Sequence, residues 1–498
     1  MRANRAVDRL QEIFFGQDRR LALAALTLVI IGAGLLVGAY VAALGPLLAA
    51  ALSIALVVGL LMLRSTQWGF FAVVTVACLL PFGALPVDIG FRPTFLDLVL
   101  VVLYFVWVSA YVTGRRKEFI ASPLGWTVFL FMALACASFI AGLTHTRLTM
   151  YVLRHFAEIL IAIGLFFVVL NTIRTPAQLR QVLQATALAG TFEAAIGIFL
   201  YVIPPAWSIR LLSALGRFNY PTGAGVLRYI EDNPELPMRA IGTSVDPNVL
   251  GGLMVLIGGL LVPQLFARRP LFRRWISAGM LLLVVTCLYL TYSRAALLGF
   301  AAASLLVAVL RYRKLLILLV LAGLLFFLLP QTQDYVTRLI EGLQAQDRAT
   351  QMRLGEYKDA LILISRYPWF GVGFAGTPDI DTYLGVSSAY LLMAEQMGLV
   401  GVGVFLLFLV RLYLAVWRGW RRVRAHQNEE LEPLMLGAWA GLSGALVAGV
   451  LDHYFFNFDF PHSVTLFWLF IGWCAAAAYM ALQAPASSVS DGGAHAAG

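Results

Sequence analysis

Fourteen apolar runs, most of them about 17–23 residues long, divide this chain, and one helix needs that length to cross a hydrocarbon core. They fall at about 21–42, 46–63, 67–84, 94–112, 123–142, 149–171, 182–203, 247–266, 275–291, 295–310, 314–330, 390–416, 434–452 and 463–482. Transmembrane strands would be shorter and would alternate in polarity, which these runs do not. Only 12% of the residues are charged, against about 25% in an ordinary soluble protein. The expected fold class is an all-α polytopic membrane protein with about 14 transmembrane helices, in a range of 12–14. The expected plan is a cytoplasmic segment 1–20, a membrane domain 21–483 and a disordered cytoplasmic tail 484–498. The basic N-terminus, MRANRAVDRLQEIFFGQDRR, leads into a long apolar run without a convincing cleavage site, and reads as an uncleaved first helix.

The net charge of +10 does not point to nucleic acid. Most of the 36 basic residues lie in short breaks between runs, including Arg115/Arg116/Lys117, Arg268/Arg269/Arg273/Arg274, Arg311/Arg313/Lys314 and Arg418/Arg421/Arg422/Arg424. The positive-inside rule puts these breaks, and both termini, in the cytoplasm. The four cysteines, Cys78, Cys136, Cys287 and Cys474, all fall inside apolar runs and read as packed thiols. Two long loops face outward, 204–246 and 331–389. The second is expected to be partly helical: YVTRLIEGL places Val336, Ile340 and Leu343 on one face, and EYKDALILISRYPWFGVGFAG reads as a helix, a proline stop and a glycine-rich turn.

The outward half holds arginines that the same rule would deplete. Arg239 lies just before a run, Arg294 in the turn between two runs, and Arg353 at the start of a loop helix. Guanidinium forks match phosphate oxygens bidentately, so three arginines at the outer leaflet suit the pyrophosphate of a lipid carrier. Snorkelling at the headgroup level is the plain alternative for each. Inside the runs, Glu158 stands four residues from Arg154 and is placed to pair with it, whereas Glu193 has no local partner. LDHYFFNFDFPHS carries Asp452, His453, Asn457, Asp459 and His462 at a spacing that matches no specific ligand pattern, and PDIDTY carries Asp379 and Asp381 one residue apart, like the metal-binding pair of soluble nucleotide-sugar transferases but without their nucleotide-binding α/β domain; no metal or other cofactor is expected.

In order along the chain stand YSRAALL, then R-x-x-E-Y-K-D-A running into RYPWFGVGFAG, then SSAYLLMAEQMGLVGVGVF, then DHYFF before the last run. This order and spacing resemble the O-antigen ligase and polymerase superfamily of bacterial envelope glycosyltransferases, most clearly over about 239–416 and onward to about 475. The first six runs match only as generic membrane helices. The resemblance implies a fold of the lipid-carrier-dependent transferase class in the bacterial inner membrane, with the active site facing the periplasm. It implies transfer of a glycan from undecaprenyl pyrophosphate to an acceptor hydroxyl without a metal or a nucleotide sugar. Arg239 and Arg294 look like the family's pyrophosphate binders, and Arg353 is similar to the arginine that begins its loop helix.

One position departs from the pattern. Ser387 stands where the ligase pattern has a histidine, and a serine is a poor general base unless another group activates it. This favours polymerisation of O-antigen or exopolysaccharide units, with ligation to lipid A-core or to protein as the alternative. Asp381, Glu356, His453 and Asp379 are the candidate bases, and Asp381 is favoured because it stands six residues before Ser387. Ser387, Tyr390 and Tyr383 are the candidate sugar and acceptor contacts, with Trp369 a further aromatic face or an interfacial anchor. The expected partners are the lipid-linked glycan and the bilayer, with a flippase and a chain-length regulator as candidates. A polysaccharide or lipid transporter and a non-catalytic assembly protein are the rival classes; a transporter would show a repeat of two halves, and none is visible.

Overall fold

A computed structural model describes residues 19–85, 88, 90–346, 348–377, 379 and 385–483. The expected segment 1–20 (except Arg19 and Arg20), the tail 484–498, and Asp381 and Tyr383 lie outside the described residues.

The chain forms two compact units. In the first, α1 (Arg19–Leu44) and α2 (Pro46–Arg64) make an antiparallel pair turned at Gly45, whose φ of 78° suits a residue without a Cβ, and Tyr40 donates to the Ala49 carbonyl at 3.0 Å. The second unit begins at Ser65. It contains α3 (Thr66–Leu79), α4 (Phe95–Val112), α5 (Pro123–Gly142), α6 (Met150–Thr172), α7 (Pro176–Val202), α8 (Pro205–Ala214), α9 (Pro247–Leu261), α10 (Arg274–Leu290), α11 (Arg294–Leu310), α12 (Lys314–Leu328), α13 (Gln333–Leu343), α14 (Arg348–Arg366), α15 (Ala389–Ala425), α16 (Leu431–Leu451) and α17 (Pro461–Gln483). Two two-residue strands, β1 (Arg228–Tyr229) and β2 (Met238–Arg239), pair antiparallel in the loop before α9.

The chain is thus an all-α polytopic membrane protein. All fourteen apolar runs are helical, and nine of the described helices are long and apolar enough to cross a membrane. Four of the other apolar helices are shorter, at 14 to 17 residues, Lys314–Leu328 among them; α2, at 19 residues, is long enough but is not among the nine. At about 1.5 Å per residue, 15 residues reach about 22 Å, short of a hydrocarbon core of about 30 Å. Nine crossings are therefore shown among the described helices, and the expected count of 14 goes beyond them. Two boundaries also move. The seventh run begins earlier, at Pro176, because Thr175 and Gln178 form a reciprocal capping box there. The helix from Ala389 runs on to Ala425 through the basic stretch Arg418–Arg424. The four cysteines are free thiols, three of them buried.

Helices α9, α16 and α17 form the interior, whereas outer helices such as α4 and α12 expose Val112, Leu325 and Leu328 as a lipid-facing surface would. Between lipid-solvated helices, close backbone approach replaces the hydrophobic drive, so small residues mark the seams. Helices α11 and α16 meet at Gly299 and Gly444, where a Cβ on Gly299 would lie 2.6 Å from the Gly444 carbonyl oxygen.

The outer loop is fastened to the bundle by a break in α15. Gly398 interrupts that helix with φ 67° and ψ −176°. The freed backbone groups are taken up by the stretch after α14: Val372 N–H donates to the Glu395 carbonyl at 2.8 Å, Gly373 N–H to Gln396 at 3.0 Å, and Leu399 N–H to Pro368 at 2.7 Å. A broken helix is tolerated in a membrane protein where its backbone is satisfied in this way. A Cβ at Gly398 would lie 2.2 Å from the Trp369 carbonyl oxygen. Gly398→Ala is expected to cost about 2–4 kcal/mol through backbone strain and overlap, seen as a lower melting temperature in detergent. Gly403→Ala, on the same helix with open space around it, serves as the control. Equal melting of the two variants would contradict this account of the break.

Candidate functional site

The loop before α9 is set by a buried carboxylate. Glu193 on α7 accepts the Thr243 N–H at 2.6 Å and the Thr243 hydroxyl at 2.9 Å. The acid that lacks a local partner in the sequence therefore ties an outer loop to the bundle. Asp246 then caps α9, accepting from the Asn248 and Val249 N–H groups at 2.7 and 3.1 Å. Upstream, β2 delivers Arg239, and Ala240 N–H donates to the Leu290 carbonyl at 2.8 Å, joining this loop to the end of α10. Arg239 donates from Nε to the Thr291 carbonyl at 2.8 Å and from an Nη to Asn248 Oδ1 at 2.7 Å. Burial lowers its pKa from the ordinary value, opposed by Asp246, Tyr335 and Asp452.

Arg294 is the first residue of α11, whose N-cap is Ser293. Its guanidinium reaches the outer loop, contacting the Arg338 carbonyl and Thr350 Oγ1, each at 3.4 Å. Arg353 lies in the second turn of α14, which starts at Arg348 rather than near residue 353. It approaches Asp452 Oδ2 at 3.6 Å. One pocket of about 750 Å³ is lined by Arg239, Arg294, Arg353, Arg338, Asn248 and Tyr335, with Glu231 and Glu341 also at its wall. Three arginines separated by more than a hundred residues of sequence thus share one cavity. Arg338 belongs with them; it stands three residues after Tyr335 on α13, a helical spacing that puts both on one face.

A second pocket, of about 810 Å³, is lined by Glu356, Ser387 and His453 together with Gln396, Asn457 and Asp459. Glu356 Oε2 accepts the Ser387 N–H at 2.9 Å and the Ser387 hydroxyl at 2.6 Å, and Tyr357 donates to the Ser387 carbonyl at 3.2 Å. Asp452 links the two cavities. It is 4% exposed, faces Arg353 of the first pocket, and accepts the N–H of His453 from the second at 2.9 Å. Burial raises its pKa, an effect that the neighbouring His453 and Arg353 oppose.

Other candidates lie elsewhere. Tyr390 donates to the Leu446 carbonyl at 2.9 Å and lines an apolar gap between α15 and α16, apart from Ser387. Asp379 is engaged by Arg366 at 2.8 Å. Trp369 is 68% exposed. Arg154 pairs with Glu158 at 2.9 Å, as the four-residue spacing predicts, and also with Asp97 at 2.9 Å. Among the described side chains of α13, Tyr335 and Val336 are buried and Ile340 is 47% exposed; that of Leu343 lies outside the described ones. Among the described residues no three His, Cys, Asp or Glu side chains converge as metal ligands.

No curated protein matches the chain in a comparison of whole sequences. Residues 278–406, from within α10 through the outer loop to the first half of α15, match the family model described as O-antigen ligase. That segment supplies Arg294, Arg338, Arg353, Glu356 and Ser387, and its match is to the family that the order of motifs resembles, which supports an envelope-glycan function of the ligase or polymerase type.

Proposed function

We propose that the protein transfers a glycan from undecaprenyl pyrophosphate to an acceptor hydroxyl at the outer face of the bacterial inner membrane, and that it polymerises O-antigen or exopolysaccharide units. The observation that carries this reading is the gathering of Arg239, Arg294, Arg338 and Arg353 around one pocket. The four guanidiniums outnumber the two carboxylates at the pocket wall, Glu231 and Glu341, while Asp452 stands beside Arg353 and Asp246 near Arg239, and a diphosphate diester would answer the charge gathered there. Orientation rests on the basic breaks: with all fourteen helices crossing, loops 204–246 and 331–389 lie outside and both termini inside.

The chemistry asks little of the protein beyond charge and position. The anomeric carbon already carries a pyrophosphate leaving group, so the arginines stabilise negative charge as it departs. The acceptor hydroxyl lies in the neighbouring pocket, where Glu356 takes its proton and the Ser387 hydroxyl orients that carboxylate. Glu356 replaces Asp381 as the preferred base because it and Ser387 share a cavity next to the arginines. Asp452 holds Arg353 until a phosphoryl oxygen takes its place. Ser387 at the ligase histidine position favours polymerisation over ligation. No resident metal or cofactor enters this scheme; a flippase and a chain-length regulator are the expected partners.

Deletion of the gene, with complementation by wild type or Arg294→Ala at matched membrane levels, tests the reading on envelope glycans. Single-unit lipopolysaccharide, or lost exopolysaccharide with single lipid-linked units accumulating, is the expected deletion phenotype, and Arg294→Ala is expected to restore less than about a hundredth of wild-type transfer. Bare lipid A-core with long lipid-linked chains would mean ligation. Normal glycans in a strain without a second copy would return a transporter to the front. In a purified assay, Glu356→Gln is expected to lower kcat by about 10²–10⁴ with little change in donor KM; an unchanged kcat would remove it as the base. Single displacement also predicts inversion at the transferred sugar, read by the anomeric couplings of the product; retention would refute direct attack.

A further inference from the structure

The outer-loop helix α13 carries a side chain that the transfer scheme leaves unused. Tyr335 is 2% exposed. Its ring stacks on Tyr289 with centroids 5.7 Å apart and on Tyr292 at 5.4 Å, and Phe326 meets it edge-on at 5.6 Å. These partners come from α10, the α10–α11 turn and α12, so the ring alone accounts for how α13 docks. The hydroxyl is not explained by packing. It is buried with no hydrogen-bond partner among the described residues. Leaving such a group unmet costs folding free energy, and a phenylalanine would give the same stack without that cost. Yet Tyr335 lines the arginine pocket, and Arg239 and Arg294 both act on it electrostatically. Guanidiniums have no acceptor atoms, so they cannot receive a hydrogen bond from the phenol. Burial raises the Tyr335 pKa above its ordinary value despite those two cations, which keeps the proton on the oxygen as a donor. A donor aimed among cations is complete when an oxyanion enters.

We propose that the Tyr335 hydroxyl donates a hydrogen bond to a phosphoryl oxygen of the bound lipid pyrophosphate, so that the outer-loop helix contributes a neutral ligand to the same anion that the arginines hold. This rests on the pyrophosphate reading above. It also accounts for the position of α13: Arg294 contacts the Arg338 carbonyl at 3.4 Å, and Tyr335 lines the pocket from the same helix.

The test is the affinity of the full-length protein in lipid discs for undecaprenyl pyrophosphate, with the ligand-induced rise in melting temperature as a second readout. Wild type, Tyr335→Phe and Arg239→Ala are compared. Tyr335→Phe keeps the ring stack, so its unliganded melting temperature is expected to match or exceed wild type. Its affinity is expected to fall about tenfold or more, the loss of one hydrogen bond to a charged group, and its ligand-induced stabilisation to shrink in step. Wild-type affinity in Tyr335→Phe, with binding lost in Arg239→Ala, would overturn the Tyr335 contact and leave the pyrophosphate pocket standing. Wild-type affinity in both variants would overturn the pocket as well. If Tyr335→Phe melts lower without ligand yet keeps wild-type affinity, the hydroxyl serves packing alone and the proposal fails.

Discussion

Arg239 is held in place by neutral acceptors, the Thr291 carbonyl and the Asn248 side-chain oxygen. Such contacts fix a guanidinium and satisfy its donors without cancelling its charge. The positive potential therefore projects into the pocket, where Arg294, Arg338 and Arg353 add to it. An arginine close to a membrane interior is costly unless water, a counter-charge or an anionic substrate answers it. The arrangement is economical if the answering charge arrives with each turnover and leaves afterwards. Arg353 has a substitute in the meantime: the buried Asp452 stands 3.6 Å away, close enough to attract and too far for a hydrogen bond.

The surrounding helices make this geometry rigid. Glu193 pins the loop behind Arg239 from inside the bundle, and the break at Gly398 bolts the chain after α14 to α15. Both devices use buried backbone groups that must find partners, so neither loop moves without breaking hydrogen bonds. Ser387 follows the bolted segment and Glu356 lies on α14, so their 2.6 Å contact joins the outer loop to the mouth of α15. Asp452, at the end of α16, then sets the distance between the cavity with the cations and the cavity with the carboxylate. The proposed donor and acceptor, held side by side, would need such neighbouring, unequal pockets.

The runs of apolar residues were readable as helices because their period and length leave few alternatives, and the crossing count was not, because helices of 14 to 17 residues fall near the threshold. Arg239, Arg294 and Arg353 were legible as a group from their placement before a run, in a turn and in a loop helix. Arg338 and Tyr335 were not, since their role depends on α13 folding back onto the α10–α11 turn, a contact between residues more than forty positions apart. Asp452 was visible within an aromatic-rich turn, but its link to Arg353 spans about a hundred residues and leaves no local pattern. Glu395 is a third acid inside the runs; it is 1% exposed, beside the helix break. Tyr390 shows the converse: it was a candidate sugar contact together with Ser387, whereas the helix begins between them, at Ala389, and Tyr390 donates to the Leu446 carbonyl instead.

The most direct test of the account is a structure of the protein in lipid discs with the proposed undecaprenyl-pyrophosphate-linked donor bound. The account predicts both phosphorus atoms among the guanidiniums of Arg239, Arg294 and Arg353, with the anomeric carbon directed toward Glu356 and Ser387 and Arg353 withdrawn from Asp452. A diphosphate bound elsewhere, with Arg353 still on Asp452, would contradict it.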